Sequence, residues 1–235
     1  MSVILACSID PIFNEREITE NPSIETTFPE LPPQSLNEGS DPSGQILSEI
    51  PPVAFVSTAW CVPGSGREIL LMNPDGSGIV CITNMRGQDN DPNWSADGQK
   101  IVFVSDRSGG RDLFLMNPDG SEQQQISFTD ANEFYPAFSP DGEYIVYASE
   151  SSGIHKLETM ELYTGDVSPV EFQNVKSYNC IYPEWSPDGD WLVFSCFGED
   201  LKAGIYISHP DGSDLQLLQA GPLHHPVWSP DGKMI

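Results

Sequence analysis

An aromatic residue followed by Ser, Pro or Ala, Asp and Gly recurs along this chain, at Trp94-Ser95-Ala96-Asp97-Gly98 and again from Phe138, Trp185 and Trp228. The aspartates of the phrase, Asp97, Asp141, Asp188 and Asp231, stand 44, 47 and 43 residues apart. A period in the low forties is the length of a four-stranded unit and is too long for a leucine-rich repeat. A second phrase rides on the first: Asn73-Pro74-Asp75-Gly76-Ser77, with copies from Asn117 and His209 and a degenerate one around Tyr163-Thr164-Gly165-Asp166. Two tight turns per period, each flanked by apolar runs, describe a repeating antiparallel meander.

Both phrases suit turns. In Ser139-Pro140-Asp141-Gly142, proline presets φ at the second position of a type I turn, serine can bond to the backbone, and glycine takes the left-handed conformation that follows. The repeated aspartates are therefore read as turn residues, a metal-ligand role being the alternative. The runs between the turns (VAFVS from Val53, KIVFVSD from Lys100, EYIVYAS from Glu143, DWLVFSC from Asp190) are continuously apolar, so both faces of each strand should be covered. A small sheet held between two similar sheets meets that demand, which is the radial arrangement of propeller blades. Trp94, Phe138, Trp185 and Trp228, each two residues after a proline, are expected to wedge between neighbouring blades.

This pattern, P-x-[WF]-S-P-D-G-x-x-I-V-F-x-S followed by L-F-L-M-N-P-D-G-S, resembles the TolB-type β-propeller repeat, which is also found in propellers preceding prolyl-oligopeptidase-type catalytic domains. The resemblance runs from Val53 to Ile235 and implies an all-β propeller of four-stranded antiparallel blades. About four blades are present, and the family's usual ring has six, so the expectation is a propeller incomplete at its C-terminus. Val53 opens at the second strand of a blade, and Val227-Trp228 should supply a first strand. Two departures stand out. The third copy lacks the second turn phrase, and only the second carries the loop Ser105-Asp106-Arg107-Ser108-Gly109-Gly110 that the family favours.

Ahead of the repeats, Ile4-Leu5-Ala6-Cys7 looks like the end of a lipoprotein signal, with residues 1–7 as its remnant and Cys7 as the lipidated residue. Residues 8–52 are rich in Pro, Glu, Ser and Asn with Arg16 as their only basic residue, the composition of a flexible acidic tether. No apolar run approaches the roughly 20 residues of a membrane-spanning helix, so membrane association is expected only through the lipid. The formal net charge of -25 argues against a nucleic-acid partner, because nothing would neutralise phosphates. Cys180 and Cys196, placed symmetrically about Asp188, can form a disulfide suited to an extracytoplasmic address, buried thiols being the alternative. Cys61 and Cys81 are separated by an intervening strand and are not expected to pair.

The sequence has no G-x-S-x-G, no Walker loop, no H-E-x-x-H and no C-x-x-C. Specificity is better sought where the repeats differ, in the segments just before the shared proline: GQDNDP, DANEFYP, SYNCIYP and GPLHHP. Asp89, Asp91, Asn132, Glu133, Tyr135, Tyr178, His224 and His225 are the candidate binding residues, facing a common channel mouth, with Tyr182 as a further contact for protein or glycan. No cofactor is required, although the carboxylates could hold Ca²⁺ and the histidine pair a transition metal. The resulting expectation is a non-catalytic, extracytoplasmic binding propeller tethered to the cell envelope and engaging a protein or polysaccharide there. The alternative is a propeller gating a prolyl-oligopeptidase-like serine peptidase.

Overall fold

The computed structural model describes residues 52–58, 61 and 66–235, so Cys7 and, apart from Pro52, the tether segment lie outside the described residues. The described chain is all strand and turn, arranged as four antiparallel sheets. The first sheet holds β1 (Val53–Ser57), β2 (Glu68–Met72) and β3 (Val80–Cys81). The second holds β4 (Asp89–Trp94), β5 (Ile101–Ser105), β6 (Asp112–Met116) and β7 (Gln124–Gln125). In the third are β8 (Asn132–Phe138), β9 (Tyr144–Ser151), β10 (Ile154–Glu161) and β11 (Val167–Pro169). The fourth comprises β12 (Asn179–Trp185), β13 (Leu192–Phe197), β14 (Gly204–Ser208) and β15 (Gln216–Ala220). Strand order follows the chain in every sheet. The opening strands β4, β8 and β12 approach one another from sheet to sheet, whereas β7, β11 and β15 approach only their own third strands. The sheets therefore fan outward from their first strands, as blades do.

The turns form for the reasons their residues suggest. Ser95 Oγ donates to Asp97 Oδ1 (2.6 Å), Asp97 Oδ1 accepts Gln99 N (3.0 Å), and Gly98 N closes on Ser95 O (2.9 Å) with φ of 69° at the glycine. The same set of bonds recurs at Asp141, Asp188 and Asp231, and these serine and backbone donors hold all four carboxyls below the usual carboxylate range. An aspartate so engaged is a turn residue.

Packing explains the doubly apolar strands. On β5, Ile101 and Phe103 join the cluster shared with the first sheet, while Val102 and Val104 join the cluster shared with the third. On β9, Ile145 and Tyr147 face back and Val146 and Ala148 face forward. The core is thus three inter-sheet layers rather than one centre. Phe138 and Trp185 wedge into these layers, and Trp185 Nε1 donates to Ala137 O of the preceding sheet (3.2 Å). The indole nitrogens of Trp94 and Trp228 have no acceptor among the described residues.

The structure departs from expectation at two places. Cys61 and Cys81 are joined, with a Cα separation of 5.8 Å. An intervening strand separates partners only within the plane of a sheet. Cys61 lies in the β1–β2 connection, outside the ladder, and is not held at strand spacing. Second, residues 224–228 form no strand, although the turn after them closes through Met234 N and Ser229 Oγ (2.9 Å). Strand geometry needs a partner, and no described strand pairs with this segment.

Candidate functional site

Proline has no N–H for a ladder, so the shared x-Pro of each first strand must leave it. It does so by a β-bulge: the register slips between Asn90 and Asn93, between Phe134 and Ala137, and between Ile181 and Glu184. The residue before proline takes a left-handed conformation at each bulge, with φ of 50° at Asp91, 52° at Tyr135 and 57° at Tyr182, and His225 repeats it at 55°. Such a conformation costs on the order of 1–3 kcal/mol in a non-glycine residue and is disfavoured further before proline. At the β8 bulge the neighbouring sheet over-determines it. Asp91 Oδ2 accepts Tyr135 N (3.4 Å), and Asn93 Oδ1 accepts Phe138 N (3.1 Å), so one sheet's side chains catch the next sheet's bulge. Bulges re-aim side chains. Here they turn Asp91, Tyr135 and Tyr182 onto one cavity of about 960 Å³, which His225 joins from the corresponding place before Pro226.

Inside it the rings form a ladder. Tyr182 lies 4.2 Å from the Tyr135 ring and 3.6 Å from that of His225, centroid to centroid, and the His224 ring is 6.1 Å from Tyr182. Three tryptophans, Trp94, Trp185 and Trp228, form much of the remaining wall. Glu184 also lines the cavity. Burial pushes its carboxyl up to about 7, and no described residue hydrogen-bonds or ion-pairs with it.

Not every candidate reaches this cavity. Asp91, Tyr135, Tyr182 and His225 line it, and His224 lies beside it. Asp89 is fully buried and clamped by Arg107, whose Nη2 reaches both carboxylate oxygens (2.8 and 2.9 Å). Glu133 is likewise buried, bonded by Thr129 Oγ1 (2.5 Å) and Ser127 Oγ (3.3 Å). Tyr178 packs in the layer between the third and fourth sheets against Phe172, with Lys156 Nζ 3.9 Å from its ring centre. Asn132 braces a loop, accepting Arg111 N (3.1 Å) and donating to Glu150 Oε2 (3.1 Å). Asp89, Asn132, Glu133 and Tyr178, expected to share a mouth with the others, do not line this cavity; Asp89 and Glu133, two residues before the residue that precedes proline, stay in register and are buried. Glu184, which no repeat phrase or variable segment singles out in the sequence, follows the proline directly and so leaves the bulge on the cavity side.

The same register position is pinned by different chemistry in each sheet. Asp89 faces Ser105 and pairs with Arg107, Glu133 faces Ser149 without a cation, and Cys180 faces Cys196, to which it is bonded, at a Cα separation of 4.2 Å. Burial, reinforced by Asp112 and Glu158, raises the Glu133 carboxyl from 4.5 to about 7. Between those values the folded chain keeps a proton that the unfolded chain has lost, so this contribution to stability is full below about pH 4.5 and is lost as pH rises through about 7. Glu133→Gln should flatten this slope and gain up to about 3 kcal/mol over the parent at pH 8. Urea unfolding at pH 5 and pH 8 checks it, and an equal effect at both values would exclude the buried carboxylate as its cause.

Among the described residues no three His, Cys, Asp or Glu side chains are grouped so as to hold a metal ion, and no helix is long and apolar enough to cross a membrane. His155 and His209 are engaged elsewhere, with Asn179 Oδ1 (3.2 Å) and with the Asp190 carbonyl (2.7 Å).

The family model for the TolB beta propeller domain matches residues 68–235. No curated protein matches the chain. Among solved structures, a putative TolB from Agrobacterium tumefaciens is 23% identical, with a TM-score of 0.64 over 76% of this chain and 66% of that one. An oligogalacturonate lyase in complex with manganese gives 17% identity and a TM-score of 0.56 over 71% of this chain and 51% of the other. A puromycin-hydrolyzing peptidase of Mycobacterium tuberculosis gives 15% and 0.53 over 66% of this chain and 24% of its own. The chain therefore spans two thirds or less of the length of each, and at these identities the likeness is one of fold.

Proposed function

The chain belongs to the TolB beta-propeller family, and from that premise we propose that it is a non-catalytic binding platform whose cavity of bulge residues engages a protein or polymer of the cell envelope. The fold does not choose among binding, peptidase gating and lyase chemistry, since structures of all three kinds share it. The observation that carries the reading is the bulge set. One strained backbone device recurs before the repeated proline, in the second, third and fourth sheets and again at His225, yet the side chain it presents varies: Asp91, Tyr135, Tyr182 and His225. A constant scaffold with variable, partly exposed aromatic residues at one cavity is what selective contact requires.

An extracytoplasmic address, with Cys7 lipidated and residues 8–52 as spacer, completes the proposal, and the two disulfides support it because such bonds persist in oxidising compartments. A photo-cross-linking phenylalanine analogue at position 182, in the protein expressed in its native envelope, should yield a discrete adduct. The same analogue at Tyr163, which is 97% exposed and away from the cavity, should not. Adducts of equal yield at both positions, or none at 182, would remove the cavity from the binding reading. Palmitate labelling that Cys7→Ser abolishes is the expected result for the anchor, and an unlabelled parent would exclude it.

A further inference from the structure

We propose that the cavity selects a cationic partner, specifically an arginine-bearing extended segment, with Glu184 as the carboxylate that receives the guanidinium and the Tyr135–Tyr182–His225 ladder as the aromatic surface beside it. This deepens, and rests on, the reading of the cavity as a binding surface. Charge is the first argument. Among the described residues no lysine or arginine lines the cavity, while Asp91 and Glu184 do, and the whole chain carries a formal charge of -25. An anionic polymer would meet a field of its own sign. A cation would be steered inward.

The second argument is the state of Glu184. Its register partner is Val193, a fully buried apolar residue, and its neighbours in the wall are Trp185 and Pro183. A half-buried carboxylate beside apolar and aromatic groups, with no donor among the described residues, gains when a cation reaches it. The corresponding position in the second sheet, Asn93, has its acceptor filled by Phe138 N. Glu184 is thus a cavity acceptor that no described donor fills. The third argument is the surface beside it. Tyrosine faces attract cations, and guanidinium, being planar and more weakly hydrated than ammonium, stacks on rings at lower desolvation cost.

The test uses the full chain and a fluorescein-labelled Gly-Arg-Gly-Arg-Gly peptide, followed by fluorescence anisotropy at low salt, with the Lys and Glu versions of the peptide and an oligogalacturonate as comparators. The Arg peptide should bind best and the Glu peptide not measurably. Glu184→Gln should weaken the Arg peptide about tenfold, as should Tyr182→Ala, while Glu184→Asp retains most of the affinity. Asp166→Asn, which removes an exposed charge away from the cavity, should change it less than about twofold. Equal losses in Glu184→Gln and Asp166→Asn would mean a diffuse field and overturn the proposal. Oligogalacturonate binding that Tyr182→Ala abolishes would also overturn it, while leaving the cavity as a binding surface. If neither Tyr182→Ala nor Glu184→Gln alters the binding of any probe, though both variants melt as the parent does, the inference and the reading beneath it fall together.

Discussion

Gly120→Ala should cost about 3 kcal/mol in urea unfolding, against about 1 kcal/mol for Gly142→Ala. Both glycines sit in turns at positive φ, 79° and 75°, so both substitutions place a Cβ in the left-handed region. They differ in their surroundings. A Cβ at Gly120 would meet the carbonyl oxygen of Ile82 and come within 3.1 Å of the Ile82 Cα, which is backbone of the preceding sheet and cannot swing aside. Nothing lies within 4 Å of the equivalent atom at Gly142. The difference between the two measures how closely the second turn of one sheet docks on the sheet before it. Gly212, whose Cβ would meet the Glu171 backbone, should behave as Gly120 does. Equal losses at Gly120 and Gly142 would show that conformation alone sets the cost and that the docking has slack.

The largest single loss should come from Arg107. Its guanidinium holds the buried Asp89 carboxylate, donates from Nε to Ser105 Oγ (2.8 Å) and from Nη1 to Gln123 Oε1 (2.5 Å), and lies 4.9 Å from the centre of the Phe114 ring. Arg107→Met leaves Asp89, 0% exposed, as a charge without its partner. A loss of about 3–5 kcal/mol follows, mostly the penalty of the stranded carboxylate rather than the worth of the pair. The double variant Asp89→Leu, Arg107→Met should therefore recover a large part of the loss, since an apolar replacement of the whole pair restores the desolvation balance. Arg107→Lys should not rescue, because an ammonium cannot reproduce the forked contact. A single variant costing less than about 1 kcal/mol would mean that water reaches Asp89 when the arginine is gone.

These residues show how much was legible beforehand. The loop Ser105–Gly110 was visible as a feature of the second copy alone, and Asp89 was visible as an acid in a variable segment. Nothing in their spacing joins the two: Arg107 meets Asp89 because β4 and β5 pair with Asp89 opposite Ser105. The candidate site divides in the same way. Asp91, Tyr135, Tyr182 and His225 share one readable property, the place immediately before the repeated proline, and that position alone would have separated them from Asp89, Glu133 and Tyr178. What sequence spacing suggested instead, a whole polar segment facing one opening, ignored the alternation that a strand imposes and the bulge that interrupts it.

The repeated turn phrases and the doubly apolar strands between them were enough to determine blade architecture, because local chemistry dictates tight turns and because a strand apolar on both faces must be covered on both, which short meanders without helices achieve only between two sheets. The composition of the cavity was decided only by tertiary structure. Backbone strain before Pro136 is held by side chains of the neighbouring sheet, where Asp91 and Asn93 catch the bulge of β8. The disulfide between Cys61 and Cys81 belongs with it, made outside the plane in which strand order separates its partners. Contacts between repeats depend on how the sheets dock, and docking is a property of the stack that no single repeat contains.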